Sequence, residues 1–248
     1  GVASFLTTGG RLSKPYWVDP MTHAFAHPTR AVKKRTKQGG EKLRETVAQL
    51  ARTYGSPFQD LAGVRPVGPG DLEPPPVRAS LVQRVVDFQL VWLSEALGDE
   101  SVRRYLDVGA HGPEYVVAPY FHIPFGRERE WTDLNCELAA MAATHTQRDG
   151  VPLMALLCFS RDLLCTDALC DIIARYRNLP VEAVGVWVSK LDETRMSLEE
   201  ARRLRSTVRE LASSHDGASR GVIRVYAGYY SMLLAHDGVV LAVDRLVL

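Results

Sequence analysis

The sequence predicts an α/β protein. The expected form is a (β/α) barrel-like parallel sheet, incomplete toward the C-terminus, with a helical, Pro-rich insertion after the first strand. Three observations carry this. From Glu114 onward, short apolar segments alternate with segments of helical spacing. The apolar segments are nearly continuous rather than alternating, the texture of strands covered on both faces, as parallel strands are. The chain of 248 residues suits one barrel-sized domain. The expected organisation is therefore a single barrel-like domain over 1–248, with the insertion at about 28–112.

The elements follow in order. PYWVDP reads as a short strand ending at Asp19. Residues 30–44 carry Arg30, Lys33, Lys34, Arg35, Lys37, Lys42 and Arg44 against Glu41 alone; Gly39-Gly40 breaks this run, and a helix is expected over 41–54. Residues 55–77, rich in Pro and Gly, read as an irregular surface excursion. Leu81, Val85, Phe88, Val91, Trp92 and Leu93 give a helix over 79–97 its apolar face, and a short helix is expected at 100–106. After that come the strand YVVAPYF and a helix over 132–146 with Thr132 as N-cap. The strand VPLMALLCF, a helix over 167–176 and the strand AVGVWV follow. A helix over 197–214 opens on the capping box Ser197-Leu-Glu-Glu200. VIRVYA and residues 239–243 supply the last strands. The chain stops on Leu246-Val247-Leu248, an apolar strand-like end. Three arrangements account for that end: a truncated chain, a sheet completed by a partner chain or second copy, or an open sheet whose last strand is internal.

Composition sets bounds. The net charge is +1, with 46% hydrophobic and 24% charged residues, so neither nucleic acid nor membrane is favoured globally. No apolar run reaches the length of a membrane span, and no secretory leader is recognisable. Cys136, Cys158, Cys165 and Cys170 form no C-x-x-C pair and read as buried reduced thiols. A cytoplasmic protein without membrane contact, cofactor or bound metal is expected.

In parallel α/β folds ligands sit beyond the carboxyl ends of the strands. The residues there are the candidates. Asp19, His23 and His27 follow the first strand. The i, i+4 spacing of the two histidines also permits a metal pair, against which Pro28 limits any helix. Tyr120, Phe121 and His122 follow the second strand and can stack on and hydrogen-bond a flat ligand. Ser160 follows the third. Ser189, Lys190 and Asp192 follow the fourth, where Asp192 can act as nucleophile or base and a desolvated Lys190 as an amine. Gly228 and Tyr229 follow the fifth. Lys33, Lys34, Arg35 and Lys37 can track a phosphate backbone, which makes residues 30–44 a candidate nucleic-acid contact.

Three stretches together resemble the barrels of the tRNA-guanine transglycosylase superfamily, including its DNA-modifying relatives: PYWVDPMTHAF, APYFHIP, and VWVSKLDE followed by VYAGYYSMLLAHDG. In that superfamily aspartates at strand ends exchange a guanine for a deazaguanine through a covalent glycosyl intermediate. The resemblance implies Asp192 as nucleophile and Asp19 as acid/base. The family's zinc-binding cysteine cluster has no counterpart here. The leading expectation is a base-modifying enzyme acting at a glycosidic bond of a nucleotide or nucleic acid. The alternatives are a non-catalytic barrel subunit binding nucleic acid or a protein partner, and a metal-dependent hydrolase using His23 and His27.

Overall fold

The computed structural model of the protein describes residues 17–36, 40–98, 113–147, 150–213, 220–225, 234 and 241–242, the side chains of residues 30, 92–98 and 241–242 aside. It is an α/β fold built on an all-parallel sheet. The strands are β3 (Val116–Val117), β4 (Leu153–Ser160), β5 (Ala183–Ser189), β6 (Gly221–Arg224) and β7 (Leu241–Ala242), and they lie side by side in chain order. β4 and β5 are the centre, paired in register from Met154 with Ala183 to Ser160 with Ser189.

Consecutive parallel strands joined by right-handed crossovers place every crossover helix on one face of the sheet. The helices are α5 (Glu128–Thr146), α6 (Ala168–Arg177) and α7 (Leu198–Ala212). Their apolar sides, including Leu138, Ala142, Ile172, Ile173, Leu204 and Leu211, form one core with Leu153, Ala155, Leu157, Val184, Val186 and Val222. The alternate residues point the other way. Met154, Leu156, Cys158, Ala183, Ile223 and Val225 form a second apolar layer with Val117, Tyr120 and Trp187. Both faces are thus buried, which is why the strands read as continuous apolar runs. Gly185 belongs to the second layer. A Cβ there would meet Leu156, Met154 and Val225 at 3.3–3.4 Å, so glycine lets this layer close up.

The rest of the chain departs from expectation in instructive places. Residues 17–20 form no strand. Asp19 instead closes a turn by accepting a hydrogen bond from the Met21 N–H at 2.8 Å, and a 3₁₀ turn, Thr22–Ala26, follows. The basic segment is not loop and helix but a hairpin. After α1 (Thr29–Val32), β1 (Lys33–Arg35) pairs antiparallel with β2 (Glu41–Leu43). The helix expected over 41–54 is confined to α2 (Glu45–Tyr54). The Pro/Gly-rich stretch is ordered: α3 (Phe58–Leu61) and a 3₁₀ turn, Pro69–Leu72, bury Phe58, Val67 and Leu72. α4 (Pro75–Gly98) starts earlier than its apolar pattern suggests. Helix α5 begins at Glu128, which leaves Thr132 buried within it rather than at its cap. Of the four thiols, all free, only Cys158 is fully buried, and Cys165 and Cys170 are exposed. The helix expected at 100–106 and the C-terminal residues 246–248 lie outside the described residues.

β3 is shorter than YVVAPYF suggests. The ladder to β4 lapses after Ala118, beside Pro119. The Ala118 N–H bonds to the Met154 carbonyl and the Ile123 N–H to the Cys158 carbonyl. One extra residue is therefore accommodated between them, a bulge. Side chains satisfy the backbone groups on the open edge and in the interruption. The Gln89 amide accepts from the Val117 N–H and donates to its carbonyl, both at 2.8 Å. The Asn135 amide does the same for Phe121, both at 2.8 Å. The Thr22 hydroxyl donates to the Tyr120 carbonyl at 2.5 Å and accepts from its N–H at 2.9 Å. Buried backbone groups must be paired, and here three side chains stand where a neighbouring strand would.

Candidate functional site

The bulge turns Tyr120 and His122 to the side of the second apolar layer and Phe121 to the helix side. Around the first two, at the carboxyl ends of β3, β4 and β5, the structure gathers a compact polar and aromatic group. Asp19 lies at its base. Its Oδ1 accepts both from the Met21 N–H and from the Tyr120 hydroxyl, the latter at 2.9 Å. The adjoining Pro20 carbonyl is held by the Tyr54 hydroxyl at 2.7 Å. His23 stacks on Tyr120, with ring centroids 5.1 Å apart, and meets Trp187 edge-on at 4.9 Å and His27 edge-on at 5.7 Å. His27 lies 6.1 Å from His122 by the same measure. His122 Nε2 and Ser189 Oγ share a hydrogen bond of 2.9 Å whose direction follows the tautomer. Lys190 follows Ser189 directly.

The electrostatics of this group are uniform. Burial lowers the His23 pKa to about 4, opposed by Asp19 and assisted by His27. Burial also lowers His122 to about 4, with further repulsion from His27, His23 and Lys190. His27 is lowered by burial and then by Lys190. Burial, and then Asp19, raise the Tyr54 hydroxyl and the Cys158 thiol. At neutral pH the three imidazoles are therefore uncharged, and each can donate from one nitrogen and accept at the other. Among the described residues the buried His23 Nδ1 has no hydrogen-bond partner.

Backbone strain marks the same place. Among the described residues only Met21 and Lys190 adopt positive φ without being glycine, at 52° and 59°. Such a conformation costs on the order of 1 kcal/mol for an ordinary side chain and gathers at functional sites.

The expected residues divide clearly. Asp19, His23, Tyr120, His122 and Lys190 are brought together. Phe121 is not with them: it is fully buried on the helix side, stacked on Phe58 and against Trp131. Asp192 follows the same strand end but is exposed and caps a turn. Its Oδ1 accepts from the Thr194 N–H at 3.0 Å and the Thr194 hydroxyl at 2.7 Å, with Arg195 at 3.6 Å. Those two Thr194 bonds, then Arg195 and Arg161, hold its carboxyl below the usual range. Among the described residues no contact joins it to Asp19. Gly228, Tyr229 and Lys37 lie outside the described residues. Lys33, Lys34 and Arg35 are on the hairpin, where Lys33 faces Glu41 at 4.0 Å and Lys34 and Arg35 are exposed.

Position in the sequence names His27 and Ser189 as strand-end candidates but not Trp187. Trp187 and Ser189 do carry a signal: in AVGVWVS they share the parity of Ala183 and Gly185, the face turned away from the helices. Among the described residues no three His, Cys, Asp or Glu side chains are grouped to hold a metal ion, and no helix is long and apolar enough to cross a membrane.

Fold and site together define a parallel α/β protein with an aromatic, imidazole-rich site around one carboxylate at the strand ends. Compared with protein-family models, curated proteins and solved structures, the chain matches none.

Proposed function

We propose that the chain modifies a nucleobase at the glycosidic bond of a nucleotide or nucleic acid, with Asp19 as the reacting carboxylate. The observation that carries this reading is the setting of Asp19. Both of its hydrogen bonds fall on Oδ1, which leaves Oδ2 for substrate. His23 and Tyr120 are buried and stacked on one another behind it, and the partly exposed Trp187, edge-on to His23, is the ring left to meet a heteroaromatic base. In the reaction Oδ2 bonds to the anomeric carbon as the C–N bond breaks. The base departs with the bonding pair and takes up a proton. An incoming base or water then displaces the carboxylate. Tyr120 and the Met21 N–H orient the carboxylate and disperse its charge. Asp192, at the rim, is the second carboxylate to test.

The one-way parallel sheet with helices on one face and a second apolar layer on the other supports reading the fold as an arc of a (β/α) barrel. The four free thiols support a reducing compartment such as the cytoplasm. Incubation with bulk tRNA or duplex DNA and radiolabelled guanine tests the activity. Wild-type protein exchanges label into polymer, and Asp19→Asn lowers the rate by about 10³ or more. An Asp19→Asn variant as active as wild type, with Asp192→Asn inactive, would transfer the role to Asp192; absence of exchange and of base release in wild type would remove the reading.

A second reading, a non-catalytic subunit binding nucleic acid, draws on the hairpin. Lys34 lies directly across from Lys42, and both are exposed, as are Arg35 and Arg44. In this reading residues 30–44 contact the phosphate backbone, and a protein partner or second copy adds at the C-terminal strand. Salt-dependent oligonucleotide retention without base exchange, together with a dimer mass by light scattering, is its signature.

A further inference from the structure

The outer part of the cluster, away from Asp19, has its own chemistry. His27, His122, Ser189 and Lys190 offer two imidazoles, a hydroxyl and an ammonium within one rim. The Ser189 hydroxyl and His122 are already locked together at 2.9 Å. Lys190, the residue after Ser189, is exposed beside this pair. Among the described residues no carboxylate lies within ion-pair distance of Lys190, and Asp192, two positions on, is turned to Thr194 and Arg195. Lys190 also holds φ at 59°, a conformation that glycine or asparagine adopts at less cost. A lysine kept in that conformation, beside neutral N–H and O–H donors and without a resident anion, is arranged to receive one.

From this geometry we infer that His27, His122, Ser189 and Lys190 form a phosphate seat, which receives the phosphate of the nucleotide whose base meets Trp187. The inference rests on the glycosidic reading for the identity of the base, and on the cluster alone for the anion. Lys190 supplies the charge, His27 one N–H, and the His122–Ser189 pair, whose shared bond occupies one of its two protons, the remaining N–H or O–H to a tetrahedral oxyanion. The phosphate could belong to a mononucleotide or to a polynucleotide backbone.

The test uses the full chain. Inorganic phosphate alone raises the melting temperature of wild-type protein by about 2 °C or more at millimolar concentration, following ligand linkage. Lys190→Asn, which keeps the left-handed backbone, and Ser189→Ala both lose this rise while retaining the wild-type far-UV spectrum. By calorimetry, guanosine monophosphate binds at least tenfold more tightly than guanosine, and Lys190→Asn removes the difference. A tetranucleotide that displaces the monophosphate assigns the seat to a polynucleotide backbone; one that fails to do so assigns it to a mononucleotide. Equal affinity for nucleoside and nucleotide, or an unchanged phosphate response in Lys190→Asn, overturns the seat. A phosphate response without base exchange keeps the seat and removes the glycosidic reading, and base exchange without a phosphate response does the reverse.

Discussion

His23 is the residue on which the site turns. It is 7% exposed, stacked on Tyr120, and lowered to a pKa of about 4 chiefly by burial. A depressed histidine contributes stability that is present above the unfolded value near 6.5 and lost as pH falls toward 4, because the unfolded chain takes up the proton first. The slope approaches about 1.4 kcal/mol per pH unit from His23. His122, partly exposed, adds a smaller share after solvent screening. Urea unfolding near pH 7 and near pH 5 should show this loss in wild type and a smaller one in His23→Gln. A wild type equally stable at both values would contradict it. Legibility at this scale was uneven for a physical reason. Position after an apolar segment was enough to select Tyr120, His122 and Lys190, since strand ends share a locale; Asp19 was selected by the same rule although residues 17–20 form no strand, and its bond to Tyr120 is what brings it there. The rule also selected Asp192, yet Thr194 captures that carboxylate locally, and only the folded turn reveals it. Phe121 was selected with Tyr120, but adjacent residues of extended chain face opposite sides, and the bulge decides which one faces the site.

At the scale of elements, the hairpin and helix α7 make a contrast. The capping box of α7 was readable because it is a local bargain between four residues. Ser197 Oγ accepts from the Glu200 N–H at 3.2 Å, and Glu200 accepts from the Ser197 N–H at 2.7 Å. Ser197→Ala should destabilise the protein by about 1 kcal/mol in urea unfolding. The β1–β2 hairpin was not readable, because strands exposed to solvent lack the alternating apolar pattern that announces a half-buried strand. Its one anchor is Leu43, partly buried against the main core. Lys34 and Lys42, paired across the ladder, repel one another. Lys34→Glu should therefore raise stability by about 0.5 kcal/mol, seen as a higher urea midpoint. If the hairpin meets nucleic acid, the same substitution weakens oligonucleotide retention at low salt. A more stable variant with unchanged retention would separate the two roles. Pro119 was visible beside the interruption of β3, but how the edge is satisfied depended on Gln89, Asn135 and Thr22 arriving from elsewhere in the chain.

At the scale of the molecule, the parallel α/β architecture was the most legible property, since two buried faces write continuous apolar strands directly into the sequence. What composition did not announce is a charged pair inside it. Arg224 of β6 is 2% exposed, faces Glu193 at 3.5 Å from the turn after β5, and donates to the Val186 carbonyl at 2.9 Å. Burial lowers the Arg224 pKa, and Glu193 offsets that shift. Removing one member leaves the other charge stranded, so Glu193→Ala should cost about 3 kcal/mol in urea unfolding. A loss below about 1 kcal/mol would show that the pair contributes little to joining β5 and β6.

The winding of the sheet also has a consequence in time. Neighbouring strands are consecutive in the chain, so each strand–helix unit can dock on the one before it as the polypeptide is synthesised. The site cannot form that way. Asp19 waits 101 residues for Tyr120, and His122 waits 67 for Ser189. A nascent chain stopped before β5 would hold Asp19, His23, His27, Tyr120 and His122 yet lack Trp187, Ser189 and Lys190. The complete group would therefore assemble late in synthesis, after most of the scaffold exists.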